Sequence, residues 1–312
     1  MQRVFVTKRL NNRYSIVHLR IQRHSLSLLA CVAAVGCVSA VAQSSLNPAP
    51  LTADSASRLV QQVVNNEVNA GKSDHLRFTY RTRKETPKGS TTKQIIETSE
   101  GSVARLMAVN DQPPTSEQRQ QDQERIQKLI NDPDERQRKH REQQDDATKA
   151  EDMLRVLPDA FLYEEIGREG DLIRLHFHPK PHFDPPSREA SVYRGMEGTL
   201  TVDGRQKRLV RIDGHLFQDV TFGWGILGRL DRGGTFFVEQ KQLEGPRWEV
   251  TTMDVNMNGK ALFFKTISMH EKEVSSDFRR VPENLSLKQA VDMLERGQAQ
   301  IAENTPVTAS SK

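Results

Sequence analysis

This chain predicts an α+β fold, mainly antiparallel β. The expected form is a curved sheet or half-open β-barrel, with an N-terminal helix on the concave face and an inserted charged helical hairpin. Three observations carry this. Residues 192–269 read as short alternating runs parted by turn residues, with almost no helical periodicity. An amphipathic helical stretch stands just ahead of the first strands. A polar run at 116–157 interrupts the strand pattern once.

The chain opens on a leader. Residues 1–42 carry six basic residues (Arg3, Lys8, Arg9, Arg13, Arg20, Arg23) and no acidic one, then an apolar run ending in Ala40-Val41-Ala42. A basic segment, an apolar core and an A-x-A end make a secretory signal peptide, which predicts an exported, periplasmic protein. A second reading takes Ala34-Val35-Gly36-Cys37 as a loose lipobox, with Cys37 lipidated and the protein held at a membrane. A third leaves the run uncleaved as an anchor. Cys31 and Cys37 are the only cysteines, so cleavage after Ala42 leaves none for a disulfide, a zinc knuckle or a thiol nucleophile.

The sequence pI of about 9.0 comes from this leader. Without it, 39 basic residues face 41 acidic ones, so charge gives no case for nucleic-acid binding. With 36% hydrophobic residues over 312 positions, the chain can bury one sizeable core or two small ones.

Residues 43–51 are a small-residue, proline-containing linker. Thr52-Ala53-Asp54 then starts a helix. Leu59, Val60, Val63, Val64 and Val68 recur at helical spacing, and Gly71 ends it. That stripe needs a sheet to cover. Strands follow at 76–81, 92–98 and 103–109, with turns at Pro87-Lys88-Gly89-Ser90 and Glu100-Gly101.

The insertion at 116–157 has sparse apolar positions (Ile126, Leu129, Ile130, then Met153, Leu154, Val156, Leu157). Asn131-Asp132-Pro133 breaks it into two helices. A charge run of this kind is usually a solvated face; the functional reading is an arm projecting from the sheet, a lid or a docking site for an envelope partner. A strand pair at 161–166 and 171–178 comes next, then a four-proline loop.

In the meander, Thr199 to Val202 alternates, Asp203-Gly204 turns, and residues 207–212 return. Asp213-Gly214 reads as another turn, 215–222 as a third run, 235–240 and 248–252 as further strands. Asn258-Gly259 reads as a turn before a closing strand at 262–269. A C-terminal helix is expected over 282–297 and a disordered polar tail over 298–312.

Aromatic and large apolar residues crowd this half. Most such residues form ordinary core. The functional reading makes Phe217, Phe222, Trp224, Phe236, Trp248, Leu262 and Phe264 the lining of an apolar cavity, since a wide curved sheet encloses space unless a helix fills it. Trp224, on a glycine-rich loop, could also touch a membrane.

Catalytic signatures are missing. His176 and His178 sit two apart on a strand, so they share a face and form the best metal candidate, with His182 and Asp184 beyond. Ile173, Leu175 and Phe177 hold the opposite face, so the histidines also fit a plain polar face. Gly223 to Gly228 matches G-x-G-x-x-G but is followed by strand-like sequence, not the helix that dinucleotide binding needs. His270-Glu271 begins like H-E-x-x-H, but Val274 stands where the second histidine belongs. No cofactor and no catalysis are predicted.

The phrase from Gly198 through Asp203-Gly204 and Leu209-Val210-Arg211-Ile212 to Gly214 resembles a hairpin of the outer-membrane lipoprotein-sorting family of periplasmic carriers. The resemblance covers roughly 52–110 and 160–280, as a pattern without a diagnostic motif. It implies a half-open β-barrel whose mouth is plugged by helices and whose interior holds lipid or lipoprotein acyl chains. The insertion at 116–157 and the glycine loop around Trp224 depart from the compact members. The alternative function is an envelope structural or interaction module that uses the charged hairpin.

Overall fold

The computed structural model describes residues 49–303, apart from position 74, 223–227 and 262–264. Helix α1 (Ala53–Ser73) leads into β1 (Arg77–Thr86), β2 (Gly89–Thr98) and β3 (Gly101–Val109). Helices α2 (Ser116–Asn131) and α3 (Pro133–Ala160) precede β4 (Phe161–Glu169) and β5 (Leu172–Pro179). A 3-10 helix (Glu189–Gly195) opens the second half. It continues through β6 (Met196–Asp203), β7 (Arg208–Leu216), β8 (Val220–Phe222), β9 (Gly228–Leu230), β10 (Thr235–Gln242), β11 (Trp248–Ala261), β12 (Lys265–Val281) and α4 (Leu287–Glu303).

All twelve strands join one open antiparallel sheet in the order β3-β2-β1-β12-β11-β10-β7-β6-β5-β4, with β8 and β9 attached beside β11. The fold is α+β, and its half-barrel-like sheet does not close. Strand β12 is the hinge of this topology. It pairs with β11 on one side and with β1 on the other. The sequence reading ended that strand near Met269, but it runs twelve residues further. The segment from His270 to Val281 carries charge on both faces and shows no apolar alternation, so only its two neighbours reveal it as central.

Two turn expectations are also corrected. Asp213-Gly214 lies inside β7, where Gly214 pairs with Gly198 and with Phe236. Asn258-Gly259 lies inside β11, opposite Ser268 and Ile267. Both glycines answer to packing. A Cβ on Gly214 would stand 2.5 Å from the Phe236 ring, and one on Gly259 would stand 2.2 Å from the Arg229 carbonyl oxygen. A strand glycine that lets an aromatic or a neighbouring backbone close in reads, locally, like a turn.

One rung of the sheet runs Lys84–Glu273–Met253–Val238–Ile212–Leu200–Leu175. Leu175 and Leu200 belong to the larger core, with Leu59, Val60, Val63, Val64 and Val68 of α1. Ile96 and Val103 belong to the smaller core, under Ile126 and Leu129 of α2 and Leu287, Val291 and Leu294 of α4. Ile96 pairs with Thr79, on the opposite face of β1 from Lys84. The two cores therefore cover opposite faces at opposite ends of the sheet.

The hairpin does not project freely. Thr115 caps α2 through a capping box. Asp132 ends α2 and starts α3, accepting from the amides of Asp134 and Glu135, with Pro133 in the first turn. Helix α3 is about 42 Å long at 1.5 Å per residue. Its last turns join the larger core through Met153, Leu154, Val156 and Leu157. Tyr193 Oη donates to the Met153 carbonyl (3.0 Å) and Tyr163 Oη to that of Leu157 (2.7 Å). The hub there is Phe161, edge-on to Phe177 at 4.9 Å and to Tyr193 at 5.1 Å.

Candidate functional site

The most distinctive site is the place where α1 crosses the sheet. Its stripe of Leu59, Val60, Val63, Val64 and Val68 is buried, while Gln61, Gln62, Asn65 and Asn66 on the other face are exposed. Against the sheet the helix approaches chiefly β4 and β7, with β5 and β6 lying between them. Polar ties fix both ends. Before the helix, the Leu51 amide donates to Glu165 Oε2 (2.8 Å). Near its end, Asn66 Nδ2 donates to the Lys207 carbonyl (3.1 Å), and Glu67 pairs with Arg208.

Beside the N-terminal half of α1 opens a cleft of about 620 Å³. Leu51, Leu59 and Ile173 supply its apolar lining; Arg58, Arg168, Arg205 and Lys207 supply four cations, and Asp171 the only acid among its lining residues. These cations come from α1, the end of β4 and the β6–β7 turn. Arg168 Nη2 donates to Glu165 Oε2 (2.8 Å), and this pairing holds the Glu165 carboxyl below the usual carboxylate range. Arg58 Nη2 donates to Ser55 Oγ (3.2 Å). Lys207 takes a left-handed φ of 54° and turns its ammonium onto the Gly204 carbonyl. The Arg205 side chain has no ion-pair partner among the described residues.

The expected cavity residues are dispersed. Phe222 and Phe236 are half-buried against the larger core. Phe217 is half-buried just past β7, where its amide donates to the Gly195 carbonyl (2.9 Å). Trp248 stands six residues along the β10–β11 pairing from the Phe236 level, opposite Gln242. There it stacks under the Arg208 guanidinium (5.5 Å) and donates from Nε1 to Gln206 (3.4 Å). Cys37, Trp224, Leu262 and Phe264 lie outside the described residues.

His176 and His178 share a face, their rings 6.0 Å apart, opposite the buried Leu175 and Phe177. His176 lines a second cleft of about 480 Å³ with Glu197, Thr199, Asp213, His215 and Thr235. His215 Nε2 lies 3.2 Å from Glu197 Oε1. Asp184 is turned to Arg194 (3.2 Å). Among the described residues no group of three or more His, Cys, Asp or Glu is placed to hold a metal ion. Gly228 leads through β9 into β10, so the glycine motif is followed by strands.

The sequence reading missed the cationic cleft. Its residues come from three distant segments, and each alone reads as a solvated turn or helix position. The local clue was Arg168 just before the β4–β5 turn and the basic pair Arg205 and Lys207 in the β6–β7 turn.

Comparison with protein-family models, curated proteins and solved structures finds no match to this chain. None of the described helices is long and apolar enough to cross a membrane.

Proposed function

We propose that this is an exported, non-catalytic binder of lipid or lipoprotein acyl chains, in which α1 occupies the concave face of a half-barrel and gives way to the ligand. One observation carries the reading: α1 approaches chiefly β4 and β7 although two strands separate them. A flat sheet would offer β5 and β6 as well, so the strands curl around the helix. The core that α1 covers is apolar (Leu175, Leu200, Val202, Leu209), and α1 contributes a valine-rich stripe to it, apart from the aromatic group of Phe161, Phe177 and Tyr193. Its polar ties sit at the two ends. Such a plug exchanges apolar contacts with a helix for equivalent contacts with a chain, at little net cost in buried area.

The alternative, docking of an envelope partner on the charged hairpin, has less support, because α3 ends inside the larger core. The test is native mass spectrometry of the full chain purified from cells, followed by solvent extraction, with a neutral apolar dye as second readout. Co-purifying acyl species are expected, together with dye binding by the folded parent chain that the extracted acyl species displace. An apo mass together with no dye binding overturns the proposal.

A further inference from the structure

We propose that the cleft beside α1 binds the phosphate head group of a lipid whose chains lie under that helix. The chain half of this statement rests on the carrier reading above; the head-group half rests on the cleft alone.

Four cations on three separate segments face one space, against a single acid, Asp171. Fixing like charges together costs free energy unless an anion joins them. Glu165 offsets only one, and it does so from the side of the Leu51 amide, so it orients Arg168 as well as neutralising it. A guanidinium held by one edge keeps its remaining N–H groups for a second partner. Arg58 is tied only to a hydroxyl, and Arg205 makes no ion pair among the described residues. Lys207, at a positive φ of 54°, also lines the cleft, with its ammonium on the Gly204 carbonyl.

The apolar lining decides the ligand class. Leu59 and Ile173 line the cleft and also belong to the core under α1, so the apolar surface runs from the cationic rim to the covered sheet. A free anion uses only the rim, and an uncharged chain uses only the apolar part. An amphiphile with an anionic head uses both. Several convergent N–H donors suit the three oxygens of a phosphate better than the two of a carboxylate. The volume falls in the range of small-ligand clefts.

The test is equilibrium binding to the full chain of dihexanoyl phosphatidic acid, dihexanoyl phosphatidylcholine and inorganic phosphate, each below any micellar concentration, with Nile red as neutral apolar probe. Phosphatidic acid should bind at least about tenfold tighter than either of the others, since head and chains both contribute. Arg58→Gln with Arg205→Gln should remove about tenfold of that affinity and leave Nile red unchanged. Both side chains are exposed, so this variant should melt like the parent. Asp171→Asn, by contrast, should tighten phosphatidic acid a few-fold. Equal binding of the two lipids, or no loss in the double variant, overturns the head-group proposal while Nile red still reports the carrier site. Inorganic phosphate binding as tightly as phosphatidic acid overturns it in favour of a free-phosphate site. Failure to bind Nile red overturns the carrier reading, and the chain half of this proposal with it.

Discussion

Glu67, near the end of α1, grips Arg208 at the start of β7 with both oxygens: Oε1 accepts from Nε at 2.8 Å and Oε2 from Nη2 at 2.9 Å. Oε1 also accepts from the Leu209 amide at 2.7 Å. Both side chains are about 10% exposed, and the Trp248 ring lies against the guanidinium. The pair therefore clamps α1 to the sheet at one end.

Removing one partner of such a pair leaves a buried charge alone. Glu67→Ala should cost about 3–5 kcal/mol in urea denaturation. Glu67→Met with Arg208→Met should regain most of that loss, because the bidentate geometry mainly offsets desolvation. A single variant as stable as the parent would show that the clamp is not closed in solution.

The glycines at the β6–β7 crossing make a second prediction. A Cβ on Gly198 would stand 2.1 Å from the Asp213 carbonyl oxygen; one on Gly214 would meet the Phe236 ring at 2.5 Å. Gly214→Ala should destabilise by about 1–3 kcal/mol, and Phe236→Leu should suppress part of that loss. Gly198→Ala should resist any such suppressor, because its obstacle is backbone. Thermal melts of the single and double variants check both statements.

The third prediction concerns pH. Burial holds the Glu273 carboxyl above its ordinary range; Lys84 opposes this, nearby Glu271 adds to it, and Lys93 opposes it. The folded pKa thus exceeds the unfolded one. The stabilising contribution is complete below the unfolded value, near pH 4.3 for glutamate, and is lost as pH rises through the folded value. Glu273→Gln should therefore raise Tm by a few degrees at neutral pH and by nothing at pH 4. A pH-independent difference would refute this origin.

Much of the fold is legible locally. The period of α1, the break at Asp132-Pro133 and the alternation of β5 and β6 are set by capping, proline geometry and side-chain period, all within a few residues. The candidate site is less legible. His176 and His178 share a face as their spacing requires, yet the cationic cleft draws on positions from Leu51 to Lys207.

The sequence by itself determined an antiparallel, helix-led domain with one charged insertion, because periodicity and turn chemistry are local properties of the chain. Only the tertiary structure decided that residues 270–281 are a central strand, that Asp213-Gly214 and Asn258-Gly259 run straight, and that the two cores take opposite faces. Each depends on which strand lies alongside, and that choice is made by contacts far apart in sequence: Phe236 over Gly214, Lys84 against Glu271, and Glu67 holding Arg208.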